Sequence, residues 1–194
     1  MSIRKLTGVI AVVLGTGLFG IVPAAASPGS PAAHPNAKAL YAGQPQLVDP
    51  SALYNHGRTP MYMNVAGGSC SANAAVIGWR KSDGVLYNER FNTYTVPNSG
   101  VWEFQADWCA GAGNPATGMC VADDATRYHL LHLAACNYNS KWDTFENVYA
   151  GGGVNQLYNL EYSGAVTANN SAGGQMWDGD YVFGNSDWNY CSQC

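Results

Sequence analysis

From Val101 to Trp108 apolar and polar side chains alternate, with Trp102, Phe104, Ala106 and Trp108 set against Glu103, Gln105 and Asp107. A period of two over this length predicts a β-strand with one buried face. The strand runs into Cys109, then a loop of small residues from Ala110 to Gly118, then Cys120 and the acidic pair Asp123 and Asp124. An apolar run from Tyr128 to Ala135 follows and closes at Cys136. With three of the six cysteines, this stretch reads as a covalently stapled part of the core.

The run after Asp123 fits two periods. Tyr128, Leu131 and Ala135 would share a helix face, whereas Leu130 to Leu133 reads equally as a buried strand. Because Asp123 or Asp124 would make a good helix N-cap, a short helix is the preferred reading. It would put His129 and His132 on one face, where two metal ligands could meet, but no third ligand stands at a typical spacing.

Elsewhere the pattern predicts short strands. Met61–Val65 is the first, ended by Gly67-Gly68. Ala74 to Arg80 and Val85 to Phe91 read as a hairpin around Lys81-Ser82-Asp83-Gly84. Pro97-Asn98-Ser99-Gly100 is a turn by composition. Trp142 to Tyr149, Leu157 to Val166 and Trp177 to Phe183 follow, separated by Gly151-Gly152-Gly153 and by the loop Asn169 to Gly174. In the last of these, Trp177, Tyr181 and Phe183 would face one way and Asp178 and Asp180 the other. The tripeptide Leu-Tyr-Asn recurs at residues 53, 86 and 157, but its flanks do not align and it reads as coincidence. The expected fold is mainly β, an antiparallel sandwich or barrel with one or two short helices, stabilised by disulfides.

Composition adds compartment and organisation. Arg4 and Lys5 precede an apolar run from Leu6 to Val22, and Ala24-Ala25-Ala26 completes a cleavage pattern, so residues 1–26 read as a signal peptide. Residues 27–49, rich in Pro and Ala, read as a linker or mobile arm, and residues 50–194 as a single β-rich secreted domain. An even set of six cysteines in an oxidising compartment predicts three disulfides among Cys70, Cys109, Cys120, Cys136, Cys191 and Cys194. Cys109 with Cys120 is the first pairing expected, since the small-residue loop between them closes without strain. Cys191 and Cys194 could pair with each other, but separate partners among Cys70 and Cys136, which would tie the C-terminus to the core, are the preferred reading. Full pairing argues against Cys70 as a nucleophile with His129 or His132 as its base.

Charge excludes more than it identifies. The nine Lys and Arg less Arg4 and Lys5 leave seven against 13 Asp and Glu, and Lys141 is the last basic residue. Nucleic acid and anionic membrane surfaces are therefore not expected partners. No hydrolase or phosphate-loop motif is present. Glu103, Asp107, Glu146, Glu161, Asp178 and Asp180 could supply a glycosidase pair, but spacing along the chain does not choose among them. Asp178-Gly179-Asp180, with Asn185 and Asp187 behind it, gathers hard oxygen ligands of the kind calcium takes, although the spacing is not that of an EF-hand; no other cofactor is indicated. Rings and carboxylates interleave from Trp177 to Tyr190. The expected ligand surface is therefore Trp177, Asp178, Asp180, Tyr181, Trp188 and Tyr190. The leading expectation is a secreted binding protein, without chemistry of its own, for an extracellular glycan or protein partner. A small secreted glycan hydrolase is the first alternative. A protease inhibitor or toxin presenting the loop Ala110 to Met119 is the second.

Overall fold

The computed structural model describes residues 45–96, 99–124 and 128–191. All of them lie in one unit, Asn36–Cys194. They form twelve strands: β1 Gln46–Asn55, β2 Met61–Val65, β3 Val76–Arg80, β4 Arg90–Val96, β5 Val101–Ala106, β6 Met119–Ala122, β7 His132–Ala135, β8 Phe145–Gly151, β9 Val154–Asn159, β10 Ala165–Thr167, β11 Trp177–Gly179 and β12 Asp187–Cys191. The β1 strand thus begins inside the stretch whose composition suggested an arm.

Strand pairing closes on itself. β1 pairs with β4, β4 with β5, β5 with β8, β8 with β9, β9 with β12, and β12 returns to β1, every pair antiparallel. Closure of this six-strand barrel removes the sheet edges that a sandwich would leave. The other strands form three hairpins, β2–β3, β6–β7 and β10–β11. The chain therefore reads as three successive four-strand units, each giving two strands to the barrel and one hairpin. The hairpins meet in a ring of backbone hydrogen bonds: Val76 N–H to Leu131 C=O at 3.0 Å, Leu131 N–H to Met176 C=O at 2.9 Å, and Met176 N–H to Val76 C=O at 2.9 Å.

The same threefold relation orders the core. Trp188 faces Asn55, Phe91 faces Ala106 and Phe145 faces Asn159 across neighbouring strands. Two residues earlier on β1, β5 and β9 stand Leu53, Phe104 and Leu157, and all six large side chains are sealed from solvent. Burying each stabilises by roughly 1.5–3 kcal/mol. Two of the Leu-Tyr-Asn tripeptides are thus equivalent, ending β1 and β9, and only Leu86-Tyr87-Asn88, which runs into a 3-10 turn at Tyr87–Glu89, is unrelated. Their asparagines end the barrel strand by bonding the chain that leaves it. Asn55 Oδ1 accepts from Met61 N–H at 2.7 Å, and Asn159 Oδ1 accepts from Glu161 and Tyr162 N–H at 2.9 and 3.1 Å.

Several expectations are corrected. Among the described residues there is no α-helix, only three 3-10 turns. The run after Asp123 becomes β7, because Tyr128 and His129 take left-handed backbone (φ 59 and 58) and Leu131 and Leu133 are needed in the core where the hairpins meet. The expected hairpin across Lys81–Gly84 does not form: β3 pairs with β2, and β4 enters the barrel between β1 and β5. A favourable local turn was outweighed by barrel closure. On β5 the polar face is buried as well as the apolar one. Gln105 donates to Asn114 and Thr117 C=O at 2.7 and 2.6 Å and accepts from Gly113 N–H at 2.8 Å, so it serves as the internal anchor of the loop after Cys109.

The disulfides also differ from expectation: Cys70 bonds Cys109 and Cys120 bonds Cys136. Cys191 is disulfide-bonded too, and neither Cys70 nor Cys136 is its partner. Cys109 and Cys120 flank one loop but point to different neighbours, one towards the β2–β3 connection and one across the β6–β7 hairpin, so the loop is not closed upon itself. In the chain-entropy picture the bridge spanning 39 positions stabilises by about 4 kcal/mol and the one spanning 16 by about 3 kcal/mol. Replacing both cysteines of a pair by serine should lower the calorimetric melting temperature for either pair, and more for Cys70 with Cys109. The reverse order would contradict that account.

Candidate functional site

The six residues expected to form a ligand surface do not assemble into one. Trp188 is fully buried, its indole Nε1–H donating to Val166 C=O at 2.8 Å. Tyr190 stacks on Trp102 with ring centroids 5.4 Å apart, and its hydroxyl is buried. Burial raises the Tyr190 pKa well above the usual phenol range. The face assignment along Trp177 to Phe183 holds for Asp180 but fails for the rest: Asp178 is 2% exposed, whereas Tyr181 and Phe183 are 44% and 87% exposed. β11 stops at Gly179, so alternation does not carry on to Tyr181 and Phe183, and within the strand it is Asp178 that faces inward. Asp180 is on the surface and does not share the surroundings of Asp178. Asp187 is already satisfied, accepting from Tyr181 O–H at 3.0 Å and from Gly184 N–H at 2.9 Å.

What the fold does bring together is Asp123, His129, Tyr162 and Asp178. His129 Nδ1 lies 2.9 Å from Asp123 Oδ2, and the imidazole stacks on the Tyr162 ring at 3.5 Å between centroids and 15° between planes. Asp178 N–H donates to His129 C=O at 2.9 Å, which ties β11 to the same loop. Tyr162 is 47% and Tyr128 90% exposed, so the outer surface of this cluster is aromatic. Burial raises the pKa of Asp123 in spite of the His129 hydrogen bond. Burial also raises that of Asp178 well above the carboxylate range, and the nearby Asp123 charge adds to it.

Register shows how unusual these two acids are. Asp178 stands opposite Val166 as Leu133 stands opposite Val121 and Gly78 opposite Met63. Asp123 follows Ala122 as Val65 follows Asn64 and Ala168 follows Thr167, the three preceding residues pairing with His132, Ile77 and Trp177. Both carboxylates therefore occupy positions that are apolar or glycine in the other two units. From sequence Asp123 reads as a helix cap and His129 as half of a histidine pair or as a base for Cys70, and nothing singles out Tyr162. Aligning the chain on its three units is the signal that would have found them.

A second acidic pair is interior. Glu103 and Asp143 are 2% and 6% exposed, and the Glu103 carboxylate lies within 4.8 Å of the Cys120 and Cys136 sulfurs. Thiolates there would suit a metal, but these sulfurs are bonded to each other. Glu146 and Glu161, also weighed as glycosidase acids, are on the surface, with Glu161 3.8 Å from Lys141. No helix among the described residues is long and apolar enough to cross a membrane.

No family model and no curated protein matches the chain. Solved structures do. A designed threefold-symmetric protein, ThreeFoil, matches with a TM-score of 0.57 at 18% identity over 72% of this chain and 96% of that one. A mosquitocidal holotoxin gives 0.61 at 9% identity, over 77% of this chain but only 18% of the holotoxin. An exo-beta-1,3-galactanase from Clostridium thermocellum gives 0.60 at 12% identity, over 75% of this chain and 30% of the galactanase. At these identities the likeness is one of fold, and with the six-strand barrel, three hairpins and threefold ring it makes the fold β-trefoil-like.

Proposed function

We propose that this chain is a secreted carbohydrate-binding module whose ligand docks on the aromatic surface formed by His129, Tyr162 and Tyr128. The observation that carries the reading is the His129–Tyr162 stack held by Asp123. Two flat rings are stacked face to face, so the Tyr162 ring is held rigidly with its outer part exposed, next to a third exposed ring, Tyr128. Rings so arranged present apolar faces to the CH groups of a sugar, and preorganisation removes the ordering cost of binding. His129 Nδ1 is committed to Asp123, which leaves Nε2 for a sugar hydroxyl. Disulfides favour an oxidising, extracellular compartment, in keeping with the signal-peptide pattern at residues 1–26. A trefoil-like portion within a galactanase supports the same class of ligand.

Pull-down on insoluble polysaccharides and a glycan array test the reading. Wild type should bind, and Tyr162→Ala and Tyr128→Ala should each weaken binding about tenfold, equivalent to 1.4 kcal/mol. Phe183→Ala, which removes a ring outside the cluster, should leave it unchanged. Equal binding by wild type and Tyr162→Ala would move the site elsewhere. Failure of wild type to bind any glycan would turn the reading to a protein partner.

A further inference from the structure

We propose that Asp123 and Asp178 together bind a hard divalent cation, calcium by its preference for carboxylate oxygens, beneath the loop that carries Tyr128 and His129. The inference does not rest on the carbohydrate reading.

Four observations converge on this place. Both oxygens of Asp178, a residue 2% exposed, have no hydrogen-bond partner, and neither does Asp123 Oδ1, on a side chain sealed from solvent. Leaving buried carboxylate oxygens unpaired is among the more expensive arrangements a fold can hold, and a cation is the partner that satisfies several of them at once. Second, the acids replace core residues: Leu133 and Gly78 at one equivalent position, Val65 and Ala168 at the other. Departures from a locally consistent pattern are expected at functional or strained sites. Third, two consecutive non-glycine residues, Tyr128 and His129, hold left-handed backbone, and this conformation brings His129 C=O to Asp178 N–H and the imidazole to Asp123 Oδ2. Fourth, the imidazole engages only one Asp123 oxygen. That fixes the carboxylate's orientation and leaves the other oxygen available, the arrangement of a carboxylate oriented from its outer side.

Charge and ligand type select the ion. Two carboxylates cancel the charge of one divalent ion, and three oxygen donors with no sulfur suit calcium rather than a softer transition metal. Calcium takes six to eight oxygens, so water would complete the shell. The acidic run that suggested calcium from sequence alone, Asp178-Gly179-Asp180, contributes only its first residue, because Asp180 lies on the surface. The cation would lock the β6–β7 loop onto β11.

The alternative occupant is a proton, which would make Asp178 a neutral buried acid. The two differ in what Asp178→Asn does. Wild type dialysed against chelator should bind one calcium per chain in calorimetric titration. It should melt several degrees higher in millimolar calcium and give terbium luminescence sensitised by the neighbouring Trp177 and Tyr162. Asp178→Asn should lose all three responses, Asp123→Asn should weaken calcium at least tenfold, and Asp180→Asn should behave as wild type. Absence of calcium uptake by chelator-treated wild type would overturn the inference. So would an Asp178→Asn protein that binds calcium as tightly as wild type, or loss of binding in Asp180→Asn alone. If Asp178→Asn does not fold, the wild-type titration and Asp123→Asn decide. Glycan binding is read separately, so a chain that takes calcium but no glycan would refute only the carbohydrate reading.

Discussion

Trp188→Ala is expected to leave little folded protein at ambient temperature. The ring is fully buried at one of three equivalent core positions, where Phe91 and Phe145 stand in the other units, and it is the largest of the three. Truncating a buried tryptophan costs about 3–5 kcal/mol through lost transfer energy and the cavity left behind. The indole also supplies the hydrogen bond to Val166 C=O at 2.8 Å, and a buried carbonyl left unpaired adds about 1–3 kcal/mol. Together these approach the whole stability of a typical domain, about 5–15 kcal/mol. Trp188→Phe, which copies the other two units, should fold and lose mainly the hydrogen bond and some packing. Urea unfolding of both variants tests this. A midpoint for Trp188→Ala within error of wild type would mean that the ring does not carry the core.

The second large effect is a stability that falls as pH rises. Glu103 is pushed up to about 9, chiefly by burial and then by the Asp143 carboxylate. Asp143 is itself pushed up to about 7 by burial, with Ser140 and the Asn137 backbone tempering the shift. Neither Glu103 oxygen reaches hydrogen-bond geometry with any donor, the Asn137 backbone included. In the unfolded chain both acids ionise near their ordinary values of about 4, so between there and the folded values the native state binds more protons than the unfolded one. Stability is therefore fully present below about pH 4 for these two groups. It declines as pH rises, until Asp143 is ionised above about 7 and Glu103 above about 9. Because the two interact, the apparent steps belong to the pair. The accumulated loss is on the order of several kcal/mol at alkaline pH. Melting temperature measured from pH 5 to pH 9.5 should fall in wild type and much less in Glu103→Gln, whose amide cannot ionise. A flat wild-type profile, or an unchanged slope in the variant, would contradict the assignment.

Much of the fold was legible from the sequence. Met61–Val65 and the strand from Val101 were readable residue by residue, because side-chain alternation and turn glycines are local signals. Mainly-β character and antiparallel pairing followed from the same local signals, and disulfide bonding from the even set of cysteines. The candidate site was legible only in fragments. Asp178 was singled out for the right element but the wrong face, since alternation says which residues share a face and only the pairing of β11 with β10 turns Asp178 inward. Asp123 and His129 were noticed for a helix that the left-handed residues Tyr128 and His129 rule out.

By itself, then, the sequence determined the mainly β character, that cysteines are paired, and the acidic, aromatic chemistry available. It also carried a trace of the repeat in Leu53-Tyr54-Asn55 and Leu157-Tyr158-Asn159. Only the tertiary structure decided which strands pair, which cysteines bond, and that Glu103, Asp143, Asp123 and Asp178 are buried. Those outcomes depend on contacts between residues far apart in the chain. Barrel closure and the ring of Val76, Leu131 and Met176 outweigh local turn and helix preferences, because closing the sheet pairs strand edges that an isolated hairpin leaves open and buries the core residues of all three units together.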